Sequence, residues 1–304
     1  MLLGGLAALA GCTTEVRLPW VPPSPLPVQA VPELTRQIAT ANALAAHLVA
    51  KGETWPLKIV QLDTLNWFVG AIDEHVQVLQ STDPGRRQRG TAALPSVPPA
   101  SQRNAAATYA ALTILLRQLH TAHRTRALAA TGPAALLWGS LAAFSATMAA
   151  RLSRGISNLG DDTTGQTPDL AGTSAGTVLT LCRQAGYSYE MALAATGLKE
   201  PQEDLLRARL AGWQSLAASI ERAAPQATSS PAPIAYDLKP ARDAAGAYSL
   251  AANTEAAALP ILGAWLAGTA SSAERELAVD ALVQAGGAAV DVGGKALRWP
   301  GWPG

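Results

Sequence analysis

Residues 59–79 read IVQLDTLNWFVGAIDEHVQVL, and their apolar side chains are separated by gaps of three or four residues. That spacing places one apolar stripe along a single face of an α-helix. Similar stripes occur over residues 34–48, 109–119, 137–152 and 206–220. Because no run of residues alternates as strands do, the chain is predicted to be all-α.

The predicted helices divide into two four-helix bundles. Between Gly155 and Gly172 the composition changes to Gly, Asp and Thr. This change predicts a linker over 158–172, an N-terminal bundle over 33–157 and a C-terminal bundle over 173–304. Helices of the second bundle are expected at about 174–197, 201–223, 240–267 and 272–298. Pro260 should kink the third of these, because proline lacks the N–H that the helix needs.

Composition limits the class of protein more than its activity. Of the 304 residues, 5% are aromatic and 15% are charged, and the net charge is +1. Abundant alanine argues against disorder as the main state, and scarce aromatic residues argue against a β-sandwich. A near-neutral chain gives no support to nucleic-acid binding.

The N-terminus predicts a lipoprotein. Leu9-Ala10-Gly11-Cys12 has the form of a bacterial lipobox, so 1–11 is predicted to be a signal peptide and Cys12 the lipidated residue. Residues 12–32 contain six prolines and should form an extended spacer. These features place the protein on the outer face of the cell membrane, held by its lipid anchor. The alternative is an apolar stub with a coincidental cysteine, because no Lys or Arg precedes the apolar run.

The sequence predicts no second membrane anchor in the rest of the chain. No other run reaches 18 uninterrupted apolar residues, so no membrane span is expected. Cys182 is the only other cysteine, and we interpret it as a small buried hydrophobic residue.

Three histidines are the candidates for a metal site. No Glu-x-x-His pair occurs, so the sequence lacks the ligands of a di-iron bundle. His75, His120 and His123 could form a mononuclear site. However, His123 continues an apolar stripe, and His120 shares its helix face with arginines. The prediction is therefore a protein with no cofactor and no catalysis, with a metal-binding or oxidase function as the alternative.

Two further features concern polar residues at helix positions. Gly172-Thr173-Ser174-Ala175-Gly176 matches a nucleophile elbow, but every histidine lies upstream of it. We interpret it as a helix cap. Glu255 is the acidic residue on an apolar stripe and needs a buried partner, which Arg209 or Tyr189 could supply. Glu255 and Arg209 then form a structural contact or the remnant of a metal or catalytic site.

Charge is distributed unevenly along the chain. Residues 12–160 contain 13 basic and 7 acidic residues, a net +6, and residues 161–304 contain 10 and 15, a net −5. The helical arginines of the first half could contact an anionic lipid surface or an envelope protein. Alternatively, this basic face docks on the acidic second half or is solvated. The arginines concerned are Arg117, Arg124, Arg126, Arg151 and Arg154.

The last seven residues, Arg298-Trp299-Pro300-Gly301-Trp302-Pro303-Gly304, form an aromatic tail. Two exposed tryptophans would be unfavourable in water, so the tail should fold back on the helices.

Several of these residues resemble a known family, the actinobacterial lipoproteins with a C-terminal ferritin-like domain of unknown function. The resemblance covers most of the chain and implies a ferritin-like second bundle, with little implied about activity. It departs from the family at Gln184 and Ala185, where the family pattern has an acidic–histidine pair. Besides the lipobox, the proline spacer and the histidine-bearing helices, the matching residues are Tyr187, Tyr189, Arg207, Arg209, Ala235-Tyr236-Asp237-Leu238, Glu255 and Arg298-Trp299-Pro300.

Overall fold

The computed structural model describes residues 32–81, 94–98, 104–160, 173–227, 240–269 and 271–302. These residues form eight α-helices and a 3-10 turn over Leu152–Arg154, and they contain no strand. The all-α prediction is confirmed. The helices are α1 Pro32–Ala50, α2 Ile59–Leu79, α3 Ala105–Ala129, α4 Gly132–Arg151, α5 Ala175–Leu193, α6 Glu200–Ala223, α7 Ala244–Gly268 and α8 Ser272–Asp291.

Several sequence predictions lie outside the described residues. They are the signal peptide, Cys12 and nearly all of the spacer, positions 161–172 of the linker, and the family segment 235–238.

Helix α4 is the central element of the fold. It packs against α3 in the first half of the chain and against α7 and α8 in the second. Every residue from Ala135 to Ser145 is buried, which explains why this helix is apolar on all sides. One continuous hydrophobic core therefore joins side chains of both halves.

Two helices are long and apolar enough to cross a membrane on length and hydropathy alone. They are Gly132–Arg154, which includes α4, and Ala244–Gly268, which is α7. In the structure 72% and 56% of their apolar windows are buried against the rest of the protein. The core helix of a globular fold has the same properties, so the absence of a membrane span stays a prediction.

Helix starts largely agree with the capping signals in the sequence. Ser174 Oγ accepts a hydrogen bond from the Thr177 N–H, which confirms the predicted helix cap. Ser271 caps α8 by accepting from the Glu274 N–H. The predicted start of α7 near 240 is wrong, because Asp243 is its N-cap and accepts from the Gly246 N–H at 2.8 Å. Pro260 lies inside α7, and the helix continues on both sides of it.

The predicted end of α8 near residue 298 is also wrong. The helix ends at Asp291, because Gly293 adopts a φ of +83°, the left-handed conformation that terminates helices. The chain beyond it returns across the helices, and Trp299 and Trp302 are 0% and 4% exposed. The prediction that the tail folds back is confirmed. From here on, the tail means residues 292–302, which follow α8.

Candidate functional site

A buried carboxylate joins three helices of the second half. Glu255 on α7 is fully buried and accepts four hydrogen bonds. Its Oε1 accepts from the Tyr189 hydroxyl at 2.6 Å, Arg209 Nε at 2.7 Å and Trp213 Nε1 at 3.0 Å. Its Oε2 accepts from Arg209 Nη2 at 2.8 Å. We call these four residues the Glu255 cluster.

Both partners predicted for Glu255 are present, whereas Trp213 was not foreseen. The signal for Trp213 was available, since it lies four residues after Arg209 and therefore on the same face of α6. The Arg209 guanidinium lies over the Trp213 ring, 4.4 Å from its centroid. This stacking and the fork-shaped ion pair hold the arginine in one orientation.

Tyr189 and Cys182 keep their protons in this region, which favours a structural role for the Glu255 cluster over a catalytic one. Burial, together with the adjacent carboxylate of Glu255, raises the pKa of Tyr189, so its hydroxyl stays a hydrogen-bond donor. Burial also raises the pKa of the nearby Cys182 thiol to about 12. Cys182 is 3% exposed, which confirms its interpretation as a small buried residue.

A second buried carboxylate, Glu74 on α2, holds the tail. Its Oε2 accepts from Arg298 Nη1 and its Oε1 from Trp299 Nε1, both at 2.9 Å. The adjacent His75 lies 2.8 Å from the Arg298 carbonyl oxygen through Nε2, which donates to that oxygen. Its ring packs edge-on against the rings of Phe144 and Trp299, and each of the two centroid distances is 4.5 Å. Glu74 was not identified in the sequence, although it neighbours the candidate His75.

The three candidate histidines have three different sets of partners. His123 is 2% exposed, its Nδ1 is 3.2 Å from Ser145 Oγ, and its ring stacks on Trp138. His120 is partly exposed and its Nδ1 is 3.1 Å from the Ala142 carbonyl oxygen. Within the described ranges, no three His, Cys, Asp or Glu side chains form a group that could hold a metal ion.

Burial makes two of these histidines harder to protonate. It lowers the pKa of His75 to about 4 and that of His123 to about 3, from an ordinary value of 6.5. In the second case, positive charge at the nearby His75 and Arg126 contributes as well. Both rings are therefore neutral at physiological pH.

We expect the fold to lose stability as the pH falls below about 6.5. Between that pH and the folded pKa of each histidine, only the unfolded chain binds the proton, so two histidines lower the unfolding free energy by up to about 2.7 kcal/mol per pH unit. Urea unfolding followed by circular dichroism at several pH values measures this slope. The His123→Gln variant should reduce its histidine-dependent part by about half. An unchanged slope in that variant would contradict the assignment.

The predicted basic face divides into two groups of arginines. Arg124 binds both carboxylate oxygens of Asp280, at 2.8 and 2.9 Å, and also reaches Glu276, while Arg151 pairs with Asp291. These two arginines hold the first half against α8, as expected if the basic face docks on the acidic half.

The other arginines lie nearer to solvent. Arg117 and Arg154 are exposed, and the side chain of Arg154 reaches the Ala150 carbonyl oxygen at 3.3 Å. The guanidinium of Arg126 is 5.0 Å from the centroid of the Trp138 ring. A surface contact through arginines therefore rests on Arg117, Arg126 and Arg154.

Comparisons with protein-family models, with curated proteins and with solved structures find no match for this chain.

Proposed function

We propose that this protein is a lipid-anchored component of the bacterial cell envelope with a non-catalytic binding or scaffolding role. Cys12 would carry the lipid, including palmitate, and the proline-rich spacer would separate the helices from the outer face of the membrane. The lipobox and the six prolines that follow it support the anchoring.

The use of the buried polar groups supports a non-catalytic role. All four hydrogen bonds to Glu255 come from side chains of neighbouring helices, and they join α5, α6 and α7. This is the observation that carries the proposal, because a carboxylate saturated in this way acts as a structural contact.

The fold is proposed to comprise two four-helix bundles, the second of them ferritin-like. Contacts of α5 with α6 and α7, and of α8 with α6 and α7, are compatible with a bundle formed by the last four helices. The resemblance to the actinobacterial lipoproteins is a proposal of the same kind. An anionic lipid or an envelope protein would be contacted by Arg117, Arg126 and Arg154, of which Arg117 and Arg154 are exposed and Arg126 is partly exposed.

Metabolic labelling with an alkyne analogue of palmitate tests the anchor. The full chain should incorporate the label in a bacterial host and partition into the detergent phase. Cys12→Ala should abolish both, because the acylated thiol is removed. Cys182→Ala is the matched control and should keep both, since its thiol is buried. An unlabelled wild-type chain, or label that persists in Cys12→Ala, would refute the proposal.

A further inference from the structure

A cleft of about 330 Å³ lies where α4, α6 and α8 meet. That volume is at the lower end of the range typical of sites for small molecules. Helices α4 and α6 each pack on α8, and the cleft lies between them. Much of its wall is apolar and comes from small or branched side chains, namely Ala146, Leu205, Ala208, Val283, Ala288 and Val292.

Two guanidinium groups border this cleft, each fixed by a carboxylate. Arg209 uses Nε and Nη2 to bind Glu255, and Arg151 uses the same two nitrogens to bind Asp291. Among the described residues, Nη1 of each arginine makes no hydrogen bond. The two arginines therefore retain donors, in fixed orientations, for a further acceptor.

The two guanidinium groups lie against glycines of the cleft wall. A Cβ built on Gly212 would be 3.4 Å from Arg209 Nη1, and one built on Gly287 would be 3.1 Å from Arg151 Nη2 and 3.3 Å from its Nη1. Glycine at these positions therefore gives the guanidinium groups room to pack closely on α6 and α8. Both arginines line the cleft and neither Nη1 is an enclosed atom, so both stay accessible to a molecule in the cleft.

We propose that this cleft binds an amphipathic molecule with one oxyanionic head group, a carboxylate or a phosphate. The head group accepts hydrogen bonds from Nη1 of Arg151 and of Arg209, and the apolar body lies along the alanine, leucine and valine wall. Because each guanidinium is already neutralised by its own carboxylate, recognition depends mainly on hydrogen bonds and apolar contact. The inference does not depend on the lipid anchor.

Calorimetric titration of the full chain tests this site, with Cys12→Ser in every sample so that no attached lipid competes. The probes are decanoate, decyl phosphate and decanol, each below its micelle concentration. Saturable binding of decanoate or decyl phosphate is expected, and the stronger of the two identifies the head group. Decanol should bind at least about tenfold more weakly, because it cannot make charge-assisted hydrogen bonds.

Two variants locate the site. Ala208→Leu should weaken binding about tenfold or more by filling the cleft, while Ala218→Leu, at an exposed position of the same helix, should not change it.

Three results would overturn the proposal: no saturable binding of either anion, equal affinity for decanol, or equal affinity in the two alanine-to-leucine variants. Circular dichroism establishes that each variant is folded. If Ala208→Leu does not fold, the comparison of the two anions with decanol decides alone.

Discussion

The Glu255→Ala variant is expected to lose about 3–5 kcal/mol of unfolding free energy, because truncation leaves the guanidinium of Arg209, whose side chain is only 11% exposed, without its counter-charge. The Tyr189 hydroxyl and the Trp213 indole N–H lose their acceptor at the same time. Each unsatisfied buried donor adds its own desolvation cost. Urea unfolding at neutral pH measures the difference from the wild-type chain.

A surface ion pair provides the control for this variant. Glu276 pairs with Arg124 at 3.0 Å, but 59% of its side chain is exposed. Glu276→Ala should therefore cost no more than about 1 kcal/mol. If Glu255→Ala is no more destabilising than Glu276→Ala, the Glu255 cluster is not the structural contact that its geometry indicates.

A double variant separates a lost interaction from an uncompensated charge. Glu255→Leu combined with Arg209→Met removes both charges and keeps apolar volume at the two positions. Replacing a buried ion pair in this way is often neutral or stabilising, whereas removing one partner is not. The double variant should therefore be more stable than Glu255→Ala. A double variant no more stable than Glu255→Ala would contradict this account.

The helices could be predicted because their signal is local. An apolar stripe with gaps of three or four residues is contained in the segment that forms the helix, as in 59–79. Helix ends depend on fewer residues and were predicted less well. The sequence predicts that α8 continues to about residue 298, whereas the positive φ of Gly293 ends it at Asp291.

The two buried glutamates show why some contacts could be predicted and others not. Glu255 stands alone on an apolar stripe, so the need for a partner is visible in the sequence. Glu74 has acidic and histidine neighbours and resembles a solvated position. Its partners Arg298 and Trp299 lie more than 220 residues away along the chain, and only the packing of the tail brings them together.

The arginines illustrate a related limit. The sequence shows where the arginines lie along the chain. It does not show whether they contact an external surface, the acidic half of the same chain or solvent. Arg124 and Arg151 meet carboxylates of α8 because α3 and α4 pack against that helix. Helix packing of this kind is a tertiary property that charge totals do not encode.

The tail should contribute several kcal/mol to the unfolding free energy, as buried core residues do. Trp299 is fully buried, packs edge-on against His75 and donates to Glu74. We expect Trp299→Ala to cost about 3–5 kcal/mol of unfolding free energy. The variant creates a cavity, and the buried carboxylate of Glu74 loses the hydrogen bond from the indole N–H. Urea unfolding measures this loss. A cost below about 1 kcal/mol, the range of surface substitutions, would show that the tail is not part of the core.

A glycine-to-alanine pair tests the docking of the tail without truncating any side chain. At Gly263 on α7, a Cβ would lie only 2.0 Å from the Gly301 carbonyl oxygen, so alanine must displace the tail backbone. At Gly186 on α5, the nearest atom would be 3.8 Å away, an ordinary contact. Both positions are helical, and alanine favours a helix over glycine by about 0.5–1 kcal/mol. Gly186→Ala should therefore be neutral or stabilising.

The Gly263→Ala variant should lose at least about 1–3 kcal/mol despite the same gain in helix propensity. Displacement of the tail should also expose Trp299, one of eight tryptophans, so the tryptophan emission of the protein should shift slightly to longer wavelength before global unfolding. Gly186→Ala should show neither change. Equal stabilisation of the two variants would mean that the tail does not rest against α7 in solution, because a docked backbone leaves no room for the added methyl group.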